Sequence, residues 1–155
     1  MPLTLLPLTA EQFPLWMKRS IAEYVADLVA TGVTPDKAEN EAERTMADAF
    51  PSAQPTETNT VFVLEHQELG DVGYLWIGHD TSGDPTSWWV WDIVVDAEHR
   101  GLGFGKQAMQ LAEDYSKSHG ARTLGLNVFG FNHVARGLYE SLGFETTSVK
   151  MRKTL

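Results

Sequence analysis

The sequence predicts an α/β fold of the α+β kind: a mixed sheet with helices in the order β-α-α-β-β-β-α-β-α-β, forming a single domain over residues 1–155. Three observations predict it. Two stretches of helical period open the chain and a hairpin pattern follows them. The longest apolar run, residues 87–95, passes directly into a glycine-rich turn and a helix. The last third alternates strand, helix and strand. A chain of 155 residues is long enough for one sizeable core.

The elements follow in order. Residues 3–8 are a short apolar strand. Thr9-Ala10-Glu11-Gln12 reads as a capping box before a helix whose apolar face uses Phe13, Trp16, Met17, Ile21, Tyr24, Val25 and Leu28. Gly32 ends it. Thr34-Pro35 supplies a cap and a first-turn proline for a second, acid-rich helix to about Phe50. Residues 60–65 and 71–78 are β-branched and aromatic and read as a hairpin joined near Gly70. Residues 87–95 read as a central strand buried on both faces. Strict alternation there puts Trp89 and Trp91 on one face and Trp88 with Asp92 on the other. Residues 106–119 form a helix with Ala108, Leu111, Ala112 and Tyr115 inward, stopped by Gly120. Residues 123–128 are a strand. Asn132 caps a helix carrying Val134, Ala135, Leu138, Tyr139 and Leu142, stopped by Gly143. Residues 144–153 return as one or two final strands.

Composition narrows the function. Cysteine is absent, which excludes disulfides, thiolate zinc sites and a thiol nucleophile. The histidines show no metal-ligand spacing, so no metal is assigned. No apolar run reaches membrane-spanning length, and the first residues lack the pattern of a signal peptide, so a cytoplasmic protein without a membrane partner is expected. A net charge of −9 argues against nucleic acid. The charge is uneven. Residues 1–86 hold 4 Lys/Arg against 14 Asp/Glu, while residues 87–155 hold 8 against 7. The imbalance suits a polyanionic ligand on the second half and a cationic one on the first; equally, acidic helix faces keep a globular protein in solution.

The chemistry begins at residues 93–106. Ile93-Val94-Val95 end the apolar strand, and Arg100-Gly101-Leu102-Gly103-Phe104-Gly105-Lys106 lead into a helix. Alternating glycines let backbone N–H groups point into one concavity, at the positive end of the helix dipole, with Arg100 and Lys106 alongside. This is a pyrophosphate cradle. A dinucleotide fingerprint would need its third glycine one residue later. A P-loop would need glycine where Arg100 stands and a hydroxyl where Gln107 stands. Coenzyme A remains. At this point the chain resembles the GNAT superfamily of N-acetyltransferases, whose signature is an Arg/Gln-x-x-Gly-x-Gly/Ala loop between the fourth strand and third helix.

A second segment strengthens the resemblance. Asn132, Ala135, Leu138, Tyr139, Gly143 and Phe144 match the family pattern Asn-x-x-Ala-x-x-Leu-Tyr-x-x-x-Gly-Phe, at the expected distance from the loop. The resemblance implies acetyl-coenzyme A as cosubstrate and a primary amine of a small molecule or peptide as acceptor, with direct attack between them. It implies that backbone groups of Ile93, Val94 and Val95 meet the pantetheine arm and the acetyl carbonyl. Residues Arg100 to Lys106 would hold the pyrophosphate, and Asn132 and Ala135 would hold the arm from the helix cap. Tyr139 would protonate the departing thiolate. It leaves room for a homodimer. Asp92, a lone carboxylate in an apolar strand, is the candidate base or water ligand, with Glu65 and His79 as rivals. Asn132 equally reads as a plain N-cap, and Tyr139 as a core tyrosine. The alternatives to a small-amine enzyme are a non-catalytic acyl-coenzyme A sensor and a protein lysine or N-terminal acetyltransferase. The second helix, with Asp36, Glu39, Glu41 and Glu43, is expected to favour acceptors bearing extra positive charge.

Overall fold

The computed structural model describes residues 2–155. Five strands form one sheet in sequential order: β1 (Leu3–Pro7), β2 (Asn59–His66), β3 (Gly70–His79), β4 (Ser87–Val95) and β5 (Thr123–Leu126). The first four pair antiparallel and β5 joins β4 in parallel. A parallel pair needs a crossover, and α3 (Phe104–Ser118) supplies it.

Two cores lie on opposite faces. On one, α3 lays Phe104, Ala108, Met109 and Ala112 on Phe62, Leu64, Leu75, Ile77, Trp88 and Val90. On the other, α1 (Phe13–Ala30) and α2 (Pro35–Ala49) cover Val61, Tyr74 and Trp76 with Phe13, Trp16 and Met46. The aromatic contacts there are mostly edge-on, as ring quadrupoles prefer.

Local signals explain the helix starts. Thr9 and Gln12 form the reciprocal pair the capping box requires: Thr9 N donates to Gln12 Oε1 at 2.9 Å, and Gln12 N donates to Thr9 Oγ1 at 3.2 Å. Regular helix begins one residue later, at Phe13. Pro35 occupies the first turn of α2 behind Thr34. Asn132 caps α4 (His133–Ser141), accepting from Ala135 N at 3.2 Å.

Two expectations need correction. Residues 144–153 do not join the sheet. Val149 and Met151 alternate with Lys150 and Arg152 as a strand would, but both apolar side chains are exposed and nothing covers that face. Arg152 instead reaches the turn after α1, where a side chain at Gly32 would stand 2.5 Å from its Nη2. The second correction is the strict alternation of β4. Trp76 pairs with Asp92 but Ile77 pairs with Val90, so Trp91 is a bulge. The extra residue turns Asp92 away from the face of Trp88 and onto that of Trp76, Trp91 and Val94. Trp91 Nε1 donates to His79 O at 3.2 Å and holds the bulge.

Candidate functional site

The site starts from a mismatch of strand lengths. β4 has nine residues, but only Ser87–Val90 pair with β5, which ends at Leu126. Beyond that point the two strands part, and the outer edge of residues 91–95 faces no strand. Ile93 and Val95 pack toward α3 and Val94 toward α1.

After β4, a 3₁₀ turn (Ala97–His99) carries the chain into the glycine loop. Gly101 and Gly103 adopt φ of 78° and 83°, the left-handed region that side chains rarely enter, and nothing stands within 4 Å of where a Cβ would project. Among the described residues, no backbone carbonyl accepts from the amide N–H groups of residues 101–106. Six donors are therefore without a backbone partner at the start of a 15-residue helix. That donor set fits a pyrophosphate, which needs oxygen acceptors satisfied without bulk.

The third glycine has a different task. Gly105 lies inside α3, and a Cβ there would stand 3.2 Å from Leu138 Cδ2. Its bareness lets α4, and Tyr139 with it, come close to the loop. Arg100 also does more than flank. Its Nε donates to Val95 O at 2.9 Å, tying the end of β4 to the loop and leaving its Nη groups for a ligand. Lys106 is exposed, whereas Leu102 projects into solvent and Phe104 is buried beneath the loop against His66. Those last two residues can offer a ligand only their backbone. Ala135 N is already engaged by Asn132, so the plain-cap reading of Asn132 holds, and its Nδ2 is the group left for a ligand.

Tyr139 is half-buried, edge-on to Phe144 at 5.9 Å, and packed against the α3-side core. Burial, and then the negative charge of Asp92, push its hydroxyl above the ordinary tyrosine range. Asp92 is pushed up to about 7 by burial first, then by Glu23 and Asp27; the Ile93 amide and Arg19 partly offset this. The charge of Asp92 thus bears on Tyr139, although the two pack on opposite faces of the sheet.

Sequence reasoning missed the α1 contribution. Arg19, Glu23 and Asp27 recur every four residues, the spacing of one helix stripe. That stripe runs beside the apolar face, and its register was the available signal. On α2, Asp36, Glu39 and Glu43 are solvent-exposed. A cleft of about 920 Å³ wraps the open edge of β5, lined by Trp89, Trp91, Leu124, Tyr139 and Phe144 among others. The glycine loop does not line it. Among the described residues, no cluster of three or more His, Asp or Glu could hold a metal, and no helix is long and apolar enough to cross a membrane.

Comparison with known proteins agrees with this geometry. A family model described as acetyltransferase (GNAT) family matches residues 28–144. YycN of Bacillus subtilis, described as an uncharacterized N-acetyltransferase, is 30% identical over 156 residues, covering all of both chains. A second Bacillus subtilis protein of that description, YdgE, is 24% identical over 100% of this chain and 99% of its own. The crystal structure of YycN superposes with a TM-score of 0.90, covering 99% of this chain and 98% of that one. A candidate acetyl transferase from Pyrococcus furiosus, 23% identical, shares the fold at a TM-score of 0.72, with 99% of each chain covered. A strand that parts from its neighbour, a donor-lined glycine loop and a facing tyrosine thus occur in a chain that belongs to the GNAT family of acetyltransferases.

Proposed function

We propose that the protein transfers an acetyl group from acetyl-coenzyme A to a primary amine of a small molecule or peptide by direct attack. The observation that carries this reading is the run of amides at residues 101–106 left without a backbone partner, next to a β4 edge that β5 does not cover. Acetyl-coenzyme A, when bound, supplies an activated acyl group on a thiol leaving group.

The residues divide the remaining work. The free amides of residues 101–106, with Arg100 and Lys106, hold the pyrophosphate. The outer edge of residues 93–95 receives the amide-bearing arm as an added strand would be received. Asp92 accepts a proton from the attacking nitrogen, directly or through one water, as the N–C bond forms. A carboxyl near 7 is ionised often enough at neutral pH to do this and basic enough to hold the proton. Tyr139 gives its proton to sulfur as the C–S bond breaks. An ordinary thiol at ~8.5 is less basic than an ordinary phenol at ~10, but the burial that raises Tyr139 also raises a thiolate beside it.

Negative charge from Glu23, Asp27 and Asp92 supports a cationic acceptor, ideally one with a second positive charge. Thiol release measured with matched diamines and monoamines tests the reading. Turnover of at least one amine, lost in Asp92→Asn, is expected. Tight cofactor binding with no turnover of any amine or peptide would leave a sensor instead of an enzyme.

A further inference from the structure

Glu23 is an unusually constrained surface glutamate. Its Oε1 accepts from Arg19 Nε at 3.0 Å and its Oε2 accepts from Tyr74 Oη at 3.0 Å. Arg19 is pinned in turn. Its Nη2 donates to Asp96 Oδ1 at 2.7 Å, just past the end of β4, and its guanidinium carbon lies 4.9 Å from the centroid of the Tyr74 ring. Tyr74 is 6% exposed and pairs with Val94, two residues from Asp92 on the same face. The Glu23 carboxylate is thus held on Tyr74, whose strand partner Val94 lies two residues from Asp92.

We infer that Glu23, locked by Tyr74 and Arg19, is a positioning residue whose fixed negative charge sets the protonation of Asp92. The inference rests on the reading that Asp92 takes the proton. An ordinary exposed glutamate swings into solvent and acts weakly on its neighbours. This one is restrained by two hydrogen bonds, from Arg19 on its own helix and from Tyr74 on β3. Its lock is also economical in charge. Arg19, the one cation that bears on Asp92, is shared between Glu23 and Asp96, so little of its field is left for Asp92.

The groups that bear on Asp92 come from three elements. From α1 they are Glu23, Asp27 and Arg19; from β3, Tyr74; from α4 across the splay, Tyr139. Both tyrosines are neutral near pH 7, since burial raises each of them. The local balance is two carboxylates against one shared guanidinium. Removing the Glu23 charge must therefore make Asp92 easier to ionise.

The test reads the Asp92 carboxyl directly, in the ligand-free full chain labelled with ¹³C at aspartate. Asp92→Asn assigns the resonance. Wild type is expected to titrate at about 7. Glu23→Gln, whose amide oxygen still accepts from Tyr74, is expected to lower that midpoint by about half a pH unit or more. Tyr74→Phe keeps the ring under Arg19 but frees one oxygen of Glu23, and should lower it by a smaller amount. The acid limb of the kcat/KM profile with one amine should move in parallel. An unmoved or raised midpoint in a folded Glu23→Gln variant overturns the inference. Unchanged turnover in Asp92→Asn overturns the underlying reading instead, and leaves the titration result standing on its own.

Discussion

Trp89 and Gly125 pair across β4 and β5, and the indole lies where a side chain at Gly125 would project. The aromatic ring is rigid, so it cannot yield as the tip of a flexible chain would. Gly125→Ala should force Trp89 or β5 aside and destabilise the protein by about 1–3 kcal/mol. Thermal unfolding measures this, and an unchanged Tm would show that Trp89 moves freely.

Gly103→Val should weaken acetyl-coenzyme A binding at least tenfold. A β-branched residue is strained at φ 83° and fills the space over the free amides. Calorimetry on a folded variant decides it. Arg100→Ala is expected to lose roughly 1–3 kcal/mol of binding, combining a lost charge with a released Val95 carbonyl.

Tyr139→Phe should lower kcat by roughly 10²–10⁴-fold with a much smaller effect on cofactor affinity. Phenylalanine keeps the edge-on contact with Phe144 and removes only the hydroxyl, with the proton it would donate. Steady-state kinetics alongside binding measurements separates the two quantities. Equal kcat in the variant would leave Tyr139 as a packing residue.

Asp92 also links stability to pH. Its folded pKa, about 7, stands above the unfolded value of 3.8, so the folded state holds the proton more tightly. Below about pH 4 both states are protonated and the carboxyl is neutral in its effect. As pH rises from about 4 to 7 the native state loses stability, by a few kcal/mol in all. Asp92→Asn should therefore be more stable than wild type at pH 8, by a margin that shrinks toward pH 5. Urea denaturation at the two pH values measures it.

Much of this was legible in the residues because it depended on local chemistry. The capping box at Thr9 and Gln12, the hairpin at residues 59–79 and the Asn132 cap all arise from neighbours in sequence, and each appears within a residue or two of its expected place. The glycine loop was legible for the same reason. What escaped depended on partners far along the chain. The bulge at Trp91 is a matter of register between β3 and β4, and no property of Trp91 alone announces it. The stripe of Arg19, Glu23 and Asp27 gains meaning only when α1 settles over Tyr74. Gly105 read as a third glycine of the cradle, yet its bareness answers to Leu138, more than thirty positions later. The tail failed in the opposite sense: residues 144–153 have a strand's alternation but pair with neither edge of the sheet.

The half-paired outer edge of β4 has a consequence for how the protein keeps itself apart from its own copies. An open strand edge invites another backbone to zip onto it, and natural proteins discourage this with a charge set among the apolar residues. Asp92 is the one charge in Ser87–Val95. Ionised, it makes the unpaired backbone edge a poor template for self-association; protonated, it leaves that edge flanked by half-buried Trp, Ile and Val alone. The carboxyl proposed to serve turnover would thus also guard that edge, and it would lose its charge on the acid side of neutrality.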